Sequence, residues 1–420
     1  MTGWLQLLLP DMAPLRESRS FRLLWIGQLI SLSGSQLRLV ALPYQIFLLT
    51  GSSFAVGLIG VFQAVPLLVL SLFGGVIADA VDRRRLLLIT QVGLAAVSLA
   101  LAVATGAGAA SVPLLYVLTA VGASFSALDN PTRASLAPTL VERRLIRAAM
   151  ALNQTIFQFA LVFGSVLAGI IIARFGLAGA YWLDVISFAA AFVAVWMLRT
   201  PPRVATPRQP VLHALVEGVR YLGVTRILLA TMSLDFLATF FGSPRALFPY
   251  YADRVFHVGP EGLGLLYASM GAGALVAAVA SGWTARVKRQ GLTVLIAVAV
   301  WGVSIALFGV LDERWFVLAL VLLAVANGAD AVSSIFRGTI LQLVVPDALR
   351  GRLNAINIMF VLGGPQLGQF ESGAVATLWS PMASVVSGGL ACVASVVAVA
   401  AWIPEIVRYR VHRDEAAAAD

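Results

Sequence analysis

Long apolar segments, separated by short breaks rich in arginine, occupy almost the whole of this 420-residue chain. Each is longer than the roughly 18 residues that an α-helix needs to cross a bilayer. We place twelve of them, at residues 23–49, 54–77, 86–107, 112–140, 149–173, 180–198, 227–251, 262–285, 292–310, 315–345, 353–378 and 381–403. Backbone groups in lipid must bond within the chain, and the two-residue alternation of a membrane barrel is absent from the sequence. The segments therefore predict twelve transmembrane helices.

The charges determine the orientation of these helices. Hydrophobic residues make up 60% of the chain, and the mean hydropathy is +0.92, yet the formal net charge is +9. Of the 29 lysines and arginines, 22 fall in the termini and in every second loop, and such side chains are retained on the cytoplasmic side of a membrane. We expect both termini to be cytoplasmic. The basic residues are explained without a nucleic-acid partner.

Few residues are available for soluble-type chemistry. The single cysteine, Cys392, lies in an apolar segment, and the three histidines, His213, His257 and His412, fall in loops or tails. No nucleotide-binding sequence of the form GxxxxGK(S/T) occurs. We expect no catalytic residues, no metal and no cofactor, and we do not expect an enzyme.

The two halves of the chain resemble each other. Arg133 precedes Asn153 by 20 residues, as Arg337 precedes Asn357, and Gly57 and Gly264 each precede a further glycine by 18 residues. Offsets of 204 and 207 residues indicate a duplicated six-helix unit. We therefore divide the chain into a cytoplasmic segment at 1–22, a six-helix bundle at 23–198, a proline-rich linker with an amphipathic helix at 199–226, a second bundle at 227–403 and a cytoplasmic tail at 404–420.

The break GGVIADAVDRRRLL, at residues 74–87, joins glycines to aspartates and three arginines. Glycines allow a close approach between helices, and an aspartate in the turn can complement the positive end of a helix dipole. The arginines can bond to carboxylates or to carbonyls in the last turn of other helices, or they can act only as topology anchors. Gly75, Asp79, Arg83 and Arg84 are therefore candidates for a cluster that holds helix ends together.

Twelve predicted helices in two repeats, with this loop, resemble the major facilitator superfamily. Its loop pattern is approximately Gly-x-x-Ala-Asp-(Arg/Lys)-x-Gly-Arg-(Arg/Lys), from which this chain lacks the basic residue after Asp79 and the second glycine. The stretches ALPYQIFLLTGSSFAVGL at 41–58 and TILQLVVPDALRGRLNAIN at 339–357 resemble the enterobactin-exporter-like and macrolide-efflux-like branch. The resemblance implies an all-α membrane protein of two pseudo-symmetric bundles, in which the cluster at 75–84 is a conformational latch.

Charged residues inside the predicted spans are costly unless they are paired or hydrated. Asp129 and Arg133, four residues apart, can pair on one helix face. Asp330 and Arg337 are two turns apart in the equivalent segment. Such pairs are either neutral structural pairs or gates and proton relays. Our candidates for proton coupling or gating are Asp129, Arg133, Asp235, Asp330, Arg337 and Glu371. Asp184 falls near the end of its segment, so we expect it at the outer membrane interface.

Polar or aromatic residues on otherwise apolar helices are candidates for a substrate cavity. They are Gln36, Arg38, Gln63, Asn153, Gln154, Gln158, Phe240, Gln366 and Gln369. Aromatic residues at this spacing can equally contact lipid or core. Gly164 and Gly169 resemble part of an antiporter signature, with Ser165 in place of its proline.

The leading hypothesis is a secondary active transporter of the bacterial inner membrane, a monomer that exports siderophores or drugs by proton-coupled alternating access. A uniporter or importer of a small metabolite is an alternative. A membrane-embedded enzyme would require an intramembrane histidine or paired-carboxylate site, and a sensor or scaffold would be favoured by a large soluble domain. The sequence contains neither an intramembrane histidine nor a large soluble domain.

Overall fold

The regular structure of the chain is helical. The computed structural model describes residues 11–80, 82–198 and 211–410, with the side chains of 71–80, 211–216, 285 and 347–348 excluded. No strand occurs within these ranges. This confirms the prediction of an all-α protein.

Thirteen helices of 14 residues or more lie in the described ranges. They are α1 (Arg19–Thr50), α2 (Ser53–Ala80), α3 (Arg83–Gly106), α4 (Val112–Leu136), α5 (Ile146–Phe159), α6 (Ser165–Trp196), α7 (Val211–Val224), α8 (Arg226–Phe241), α9 (Gly259–Val279), α10 (Gln290–Gly309), α11 (Phe316–Val344), α12 (Asp347–Leu378) and α13 (Pro381–Trp402). Shorter helical segments are Ala13–Glu17, Ala137–Leu140, Arg143–Leu145, Ala160–Gly164, Pro244–Leu247, Phe248–Tyr250, Tyr251–Val255, Ala280–Arg286, Glu313–Trp315 and Glu405–Arg408.

Nine helical segments within the described residues are long and apolar enough to cross a membrane. The longest runs for 54 residues, from Arg143 to Trp196, and is broken at Gly176, where φ is 70°. Helices α1 and α12 are each 32 residues long but carry more polar residues, and they are not among the nine. The chain is therefore an integral membrane protein with multiple spans.

Local sequence accounts for several helix ends. The Ser18 hydroxyl accepts a hydrogen bond from the Phe21 amide at 3.1 Å and so caps α1. The helix ends at Gly51, whose φ of 63° suits a residue without a Cβ atom. Asp82 caps α3 by accepting from the Arg85 amide at 3.0 Å, and Ser380 caps α13 by accepting from the Ala383 amide at 3.1 Å.

The chain forms two compact units. The first falls within Met1–Gly51, Val65–Pro207 and Val258–Ala268, and the second within Ser52–Ala64, Arg208–His257 and Ser269–Asp420. Each unit thus takes one short segment from the opposite half of the sequence. The first unit contains a core in which Phe21, Leu24 and Leu87 are buried, and the second contains an aromatic core in which the rings of Tyr251 and Phe308 lie 4.8 Å apart.

Candidate functional site

The first unit buries the predicted pair Asp129–Arg133 on α4. The Arg133 Nε lies 2.5 Å from the Asp129 Oδ2, and the two side chains are 5% and 8% exposed. The other carboxylate oxygen accepts hydrogen bonds from the Thr90 hydroxyl at 2.6 Å and from the Gln91 amide at 2.8 Å, both on α3. Asp129 is therefore held by both helices, and the pair has no net charge.

Among the described residues, only one nitrogen of the Arg133 guanidinium has a partner. Its Nη1 and Nη2 atoms are buried, and no hydrogen-bond acceptor for them exists among the described residues. A buried donor without an acceptor costs free energy because water has been removed and not replaced. The described residues of the first unit therefore leave the outer edge of this arginine unsatisfied.

The second unit contains a larger ionic cluster around Arg337, which lies 204 residues after Arg133. The Arg337 Nη2 lies 2.5 Å from the Asp235 Oδ1 on α8 and 3.5 Å from the Asp330 Oδ1 on α11. Its Nη1 donates to the Ser333 hydroxyl at 2.7 Å. We call Asp235, Asp330 and Arg337 the carboxylate–arginine cluster. The spacing in the sequence predicted the link between Asp330 and Arg337 but not the shorter contact with Asp235.

The carboxylate–arginine cluster has more negative than positive charge. Two carboxylates share one guanidinium, and the second oxygen of Asp235 is buried without a hydrogen-bond donor in the described part of the chain. The Asp235 side chain is 4% exposed, whereas that of Asp330 is 34% exposed. This arrangement can accept a proton, which would neutralise the excess charge and satisfy the bare oxygen.

Asp184, which we expected at the outer membrane interface, lies inside the first unit with polar partners from other helices. Its side chain is completely buried, accepts a hydrogen bond from the Ser98 hydroxyl at 2.6 Å, and lies 3.7 Å from the Arg38 Nε. The helices α1, α3 and α6 therefore all contribute side chains around this carboxylate. The Arg38 guanidinium also lies over the Phe188 ring, 5.6 Å from its centre. Arg38, a cavity candidate, thus has partners within the first unit.

Other cavity candidates differ in their surroundings. Gln36 is buried. A Cβ atom on Gly164 would lie 2.9 Å from the Cβ and Cγ atoms of Gln36, so the two residues are in close contact. Gln366 accepts a hydrogen bond from the Gln369 amide at 2.8 Å, and the Phe240 ring stacks 5.8 Å from that of Phe236. Gln154 is exposed, whereas Gln63, Asn153 and Gln158 are partly buried. Glu371 is also partly buried and has no ion pair with any described residue.

Two glycine crossings occur at equivalent places in the duplicated sequence. A Cβ atom on Gly57 of α2 would lie 2.6 Å from the Gln369 carbonyl oxygen and 3.1 Å from the Gly373 Cα of α12. A Cβ atom on Gly264 of α9 would lie 2.6 Å from the Ser165 carbonyl oxygen and 2.9 Å from the Gly169 Cα of α6. Gly57 and Gly264 are 207 residues apart, and Gly169 and Gly373 are 204 residues apart. These are the two offsets of the internal repeat. The internal repeat is therefore reproduced in the packing of each unit.

The predicted latch falls partly outside the described residues. The side chains of Gly75 and Asp79, near the end of α2, belong to that undescribed part. Arg83 donates to the Ser135 carbonyl at 3.0 Å, and Arg84 donates to the Val195 carbonyl at 3.3 Å and to that of Trp196. Both arginines therefore hold helix ends within the first unit.

Comparison with known proteins identifies the family. The family model described as transmembrane secretion effector, a branch of the major facilitator superfamily, matches residues 10–418. The chain is 27% identical over 413 residues to proteins named enterobactin exporter EntS from Shigella boydii serotype 18 and from Escherichia coli, with 98% of each chain covered.

Solved transporter structures have the same fold. A D-xylose–proton symporter superimposes with a TM-score of 0.72 at 14% identity, covering 92% of this chain and 98% of that chain. A POT family transporter in complex with 5-aminolevulinic acid gives 0.75 at 12% identity, covering 93% and 97%. The relatives and structural neighbours are transporters and not enzymes, as expected for this chain. The chain belongs to the transmembrane secretion effector family of the major facilitator superfamily and is a transporter of small molecules.

Proposed function

We propose that this protein is an exporter of the bacterial inner membrane that couples the outward movement of an amphipathic small molecule, a siderophore or a drug, to inward movement of protons. The relatives named enterobactin exporters support the direction and the kind of substrate. In the proposed arrangement twelve helices cross the membrane, both termini are cytoplasmic, and the protein works as a monomer. Residues 23–198 and 227–403 move against each other in alternating access.

The carboxylate–arginine cluster is the observation on which proton coupling rests. An antiporter needs a group that takes up a proton from one side and releases it to the other. Asp235 and Asp330 compete for Arg337, and Asp235 has one buried oxygen without a donor. Protonation removes the excess charge, and a change in exposure on switching conformation would release the proton again. Glu371 is a second candidate because it is partly buried without an ion pair among the described residues.

The contacts of Arg83 and Arg84 support a structural contribution of the predicted latch. These two arginines fasten the start of α3 to the ends of α4 and α6 through carbonyl groups. We propose that they stabilise this region in one conformation of the transport cycle, together with Gly75 and Asp79.

The test uses purified protein in liposomes that contain a pH-sensitive dye. Enterobactin and a cationic drug such as ethidium are added separately under an imposed proton gradient. We expect substrate-dependent proton movement into the compartment from which substrate leaves, and none in empty liposomes. Substrate movement without proton movement would make the protein a uniporter or a carrier coupled to another ion, and would contradict the proposal.

A further inference from the structure

The two arginines related by the internal repeat have different partners, although they occupy equivalent positions. Arg337 uses both outer nitrogens of its guanidinium, one for Ser333 and one for two carboxylates. Arg133 uses only its Nε, and its two outer nitrogens are buried without acceptors in the described structure. In the described structure, the outer nitrogens of Arg133 therefore lack the acceptors that the outer nitrogens of Arg337 have.

The sequence explains the difference. Position 129, equivalent to Ser333, is an aspartate that bonds to the Arg133 Nε from its own helix. The positions that correspond to Asp235 at the repeat offsets of 207 and 204 residues are Gln28 and Ser31, and neither side chain carries a charge. In the first unit, Arg133 thus has a carboxylate from its own helix, Asp129. Among the described residues it has no counterpart of the Asp235 carboxylate, which the second unit supplies from another helix.

We infer that an anionic group of the exported molecule takes the place of this second carboxylate and binds to the Nη1 and Nη2 atoms of Arg133. Their N–H groups form a planar fork that matches two oxygens of one anion, such as a carboxylate. Thr90 and Gln91 hold Asp129 in place, so binding need not break the existing pair. Arg337 illustrates that an arginine in this position can accommodate two carboxylates at once.

This inference rests on the proposed function, because the outer nitrogens are buried here and a ligand reaches them only when the surrounding helices separate during a transport cycle. It also specifies the substrate class. The exported molecule should combine an apolar or aromatic body with at least one acidic group, and a neutral analogue of the same shape should bind more weakly.

The test measures ligand-dependent thermal stability of the full-length protein in detergent, without a proton gradient. The probes are 2-naphthoate and 2-naphthamide, which have the same ring but differ in charge, and inorganic phosphate. We expect naphthoate at about ten times its Kd to raise the Tm of the wild-type protein by about 2 °C, and to do so more than the amide. This difference should disappear in Arg133→Gln and shrink in Arg133→Lys, which keeps the charge but loses the fork.

The matched control is Arg314→Gln, which removes an exposed arginine that lies just before α11. It should keep the full difference between naphthoate and naphthamide. Equal Tm shifts for acid and amide in the wild-type protein, or a difference that survives in Arg133→Gln, would overturn the inference. A phosphate shift as large as that of naphthoate and equally dependent on Arg133 would also overturn it, because the site would then recognise a free inorganic anion. Failure of proton coupling in liposomes would leave this binding result unchanged.

Discussion

Arg337 joins Asp235 across the gap between α11 and α8, with 2.5 Å between the guanidinium nitrogen and the carboxylate oxygen. The contact unites two charges that lie 102 positions apart in the sequence. It is also the shortest link in a cluster where a second carboxylate, Asp330, lies 3.5 Å from the same nitrogen. The stability and the transport activity of the protein should therefore both respond to changes at this cluster.

Removing the positive charge should strongly destabilise the second unit. Arg337→Gln leaves Asp235 buried without its cation, and breaking a buried pair in this way typically costs about 3–5 kcal/mol of unfolding free energy. Chemical unfolding of the purified protein in detergent measures the change. The exposed control Arg314→Gln should alter stability by less than about 0.5 kcal/mol.

The double variant Asp235→Asn/Arg337→Gln should be more stable than Arg337→Gln alone. Asp235→Asn removes the buried charge that Arg337→Gln leaves unpaired, which is the main cost of the single substitution. The changes in unfolding free energy of the two single variants should therefore deviate from additivity by about 0.5–3 kcal/mol. The same unfolding measurement on the four proteins of this cycle gives the interaction energy. Additive effects would show that the two side chains do not interact in the folded protein.

The buried group around Asp184 should have a structural role. Asp184→Ala leaves the Arg38 guanidinium without its carboxylate and is expected to cost about 3–5 kcal/mol. Ser98→Ala removes a hydrogen bond to the charged carboxylate and should cost less, about 1.5–3 kcal/mol. The comparison variant Asp312→Ala changes an exposed aspartate and should have a much smaller effect on the same unfolding curve. A loss of transport without loss of stability in Asp184→Ala would contradict the structural role.

The glycine crossings should not tolerate even one methyl group. A Cβ atom on Gly57 or Gly264 would lie 2.6 Å from a backbone oxygen, which cannot move without shifting a helix. We expect Gly57→Ala and Gly264→Ala each to cost about 1–3 kcal/mol through overpacking. Gly338, within α11, has open space where a Cβ atom would be placed. Gly338→Ala should therefore be neutral or stabilise the helix by about 0.5–1 kcal/mol.

The sequence predicted the helices well because the membrane imposes a strong pattern on composition. Every predicted span coincides with a helical segment, and the amphipathic stretch after Val211 is helix α7. The repeat offsets predicted which glycines are equivalent, and the structure places those glycines at equivalent crossings. The gap between the predicted spans 149–173 and 180–198 contains Gly176, where the helical stretch is broken.

Side-chain partners between helices were harder to predict. Asp129 and Arg133 were paired correctly because their spacing on one helix fixes their separation. The partners of Asp235 and Asp184, which are Arg337 and Arg38, were not predicted because they lie on other helices, and the relative rotation of those helices does not follow from hydropathy. The internal repeat contained one unused signal: Asp235 corresponds to Gln28 or Ser31 at the two repeat offsets, and neither is charged, so the local charge balance of the two units differs.

The most direct measurement compares substrate exchange with proton-driven accumulation for Asp235→Asn and Asp330→Asn in liposomes, with Asp312→Asn as the control. Exchange of labelled for unlabelled substrate needs no net proton movement, whereas uphill accumulation does. We expect at least one of the two cluster variants to retain exchange but lose proton-driven accumulation, while Asp312→Asn retains both. Undiminished proton-driven accumulation in both cluster variants would contradict the assignment of proton coupling to the carboxylate–arginine cluster.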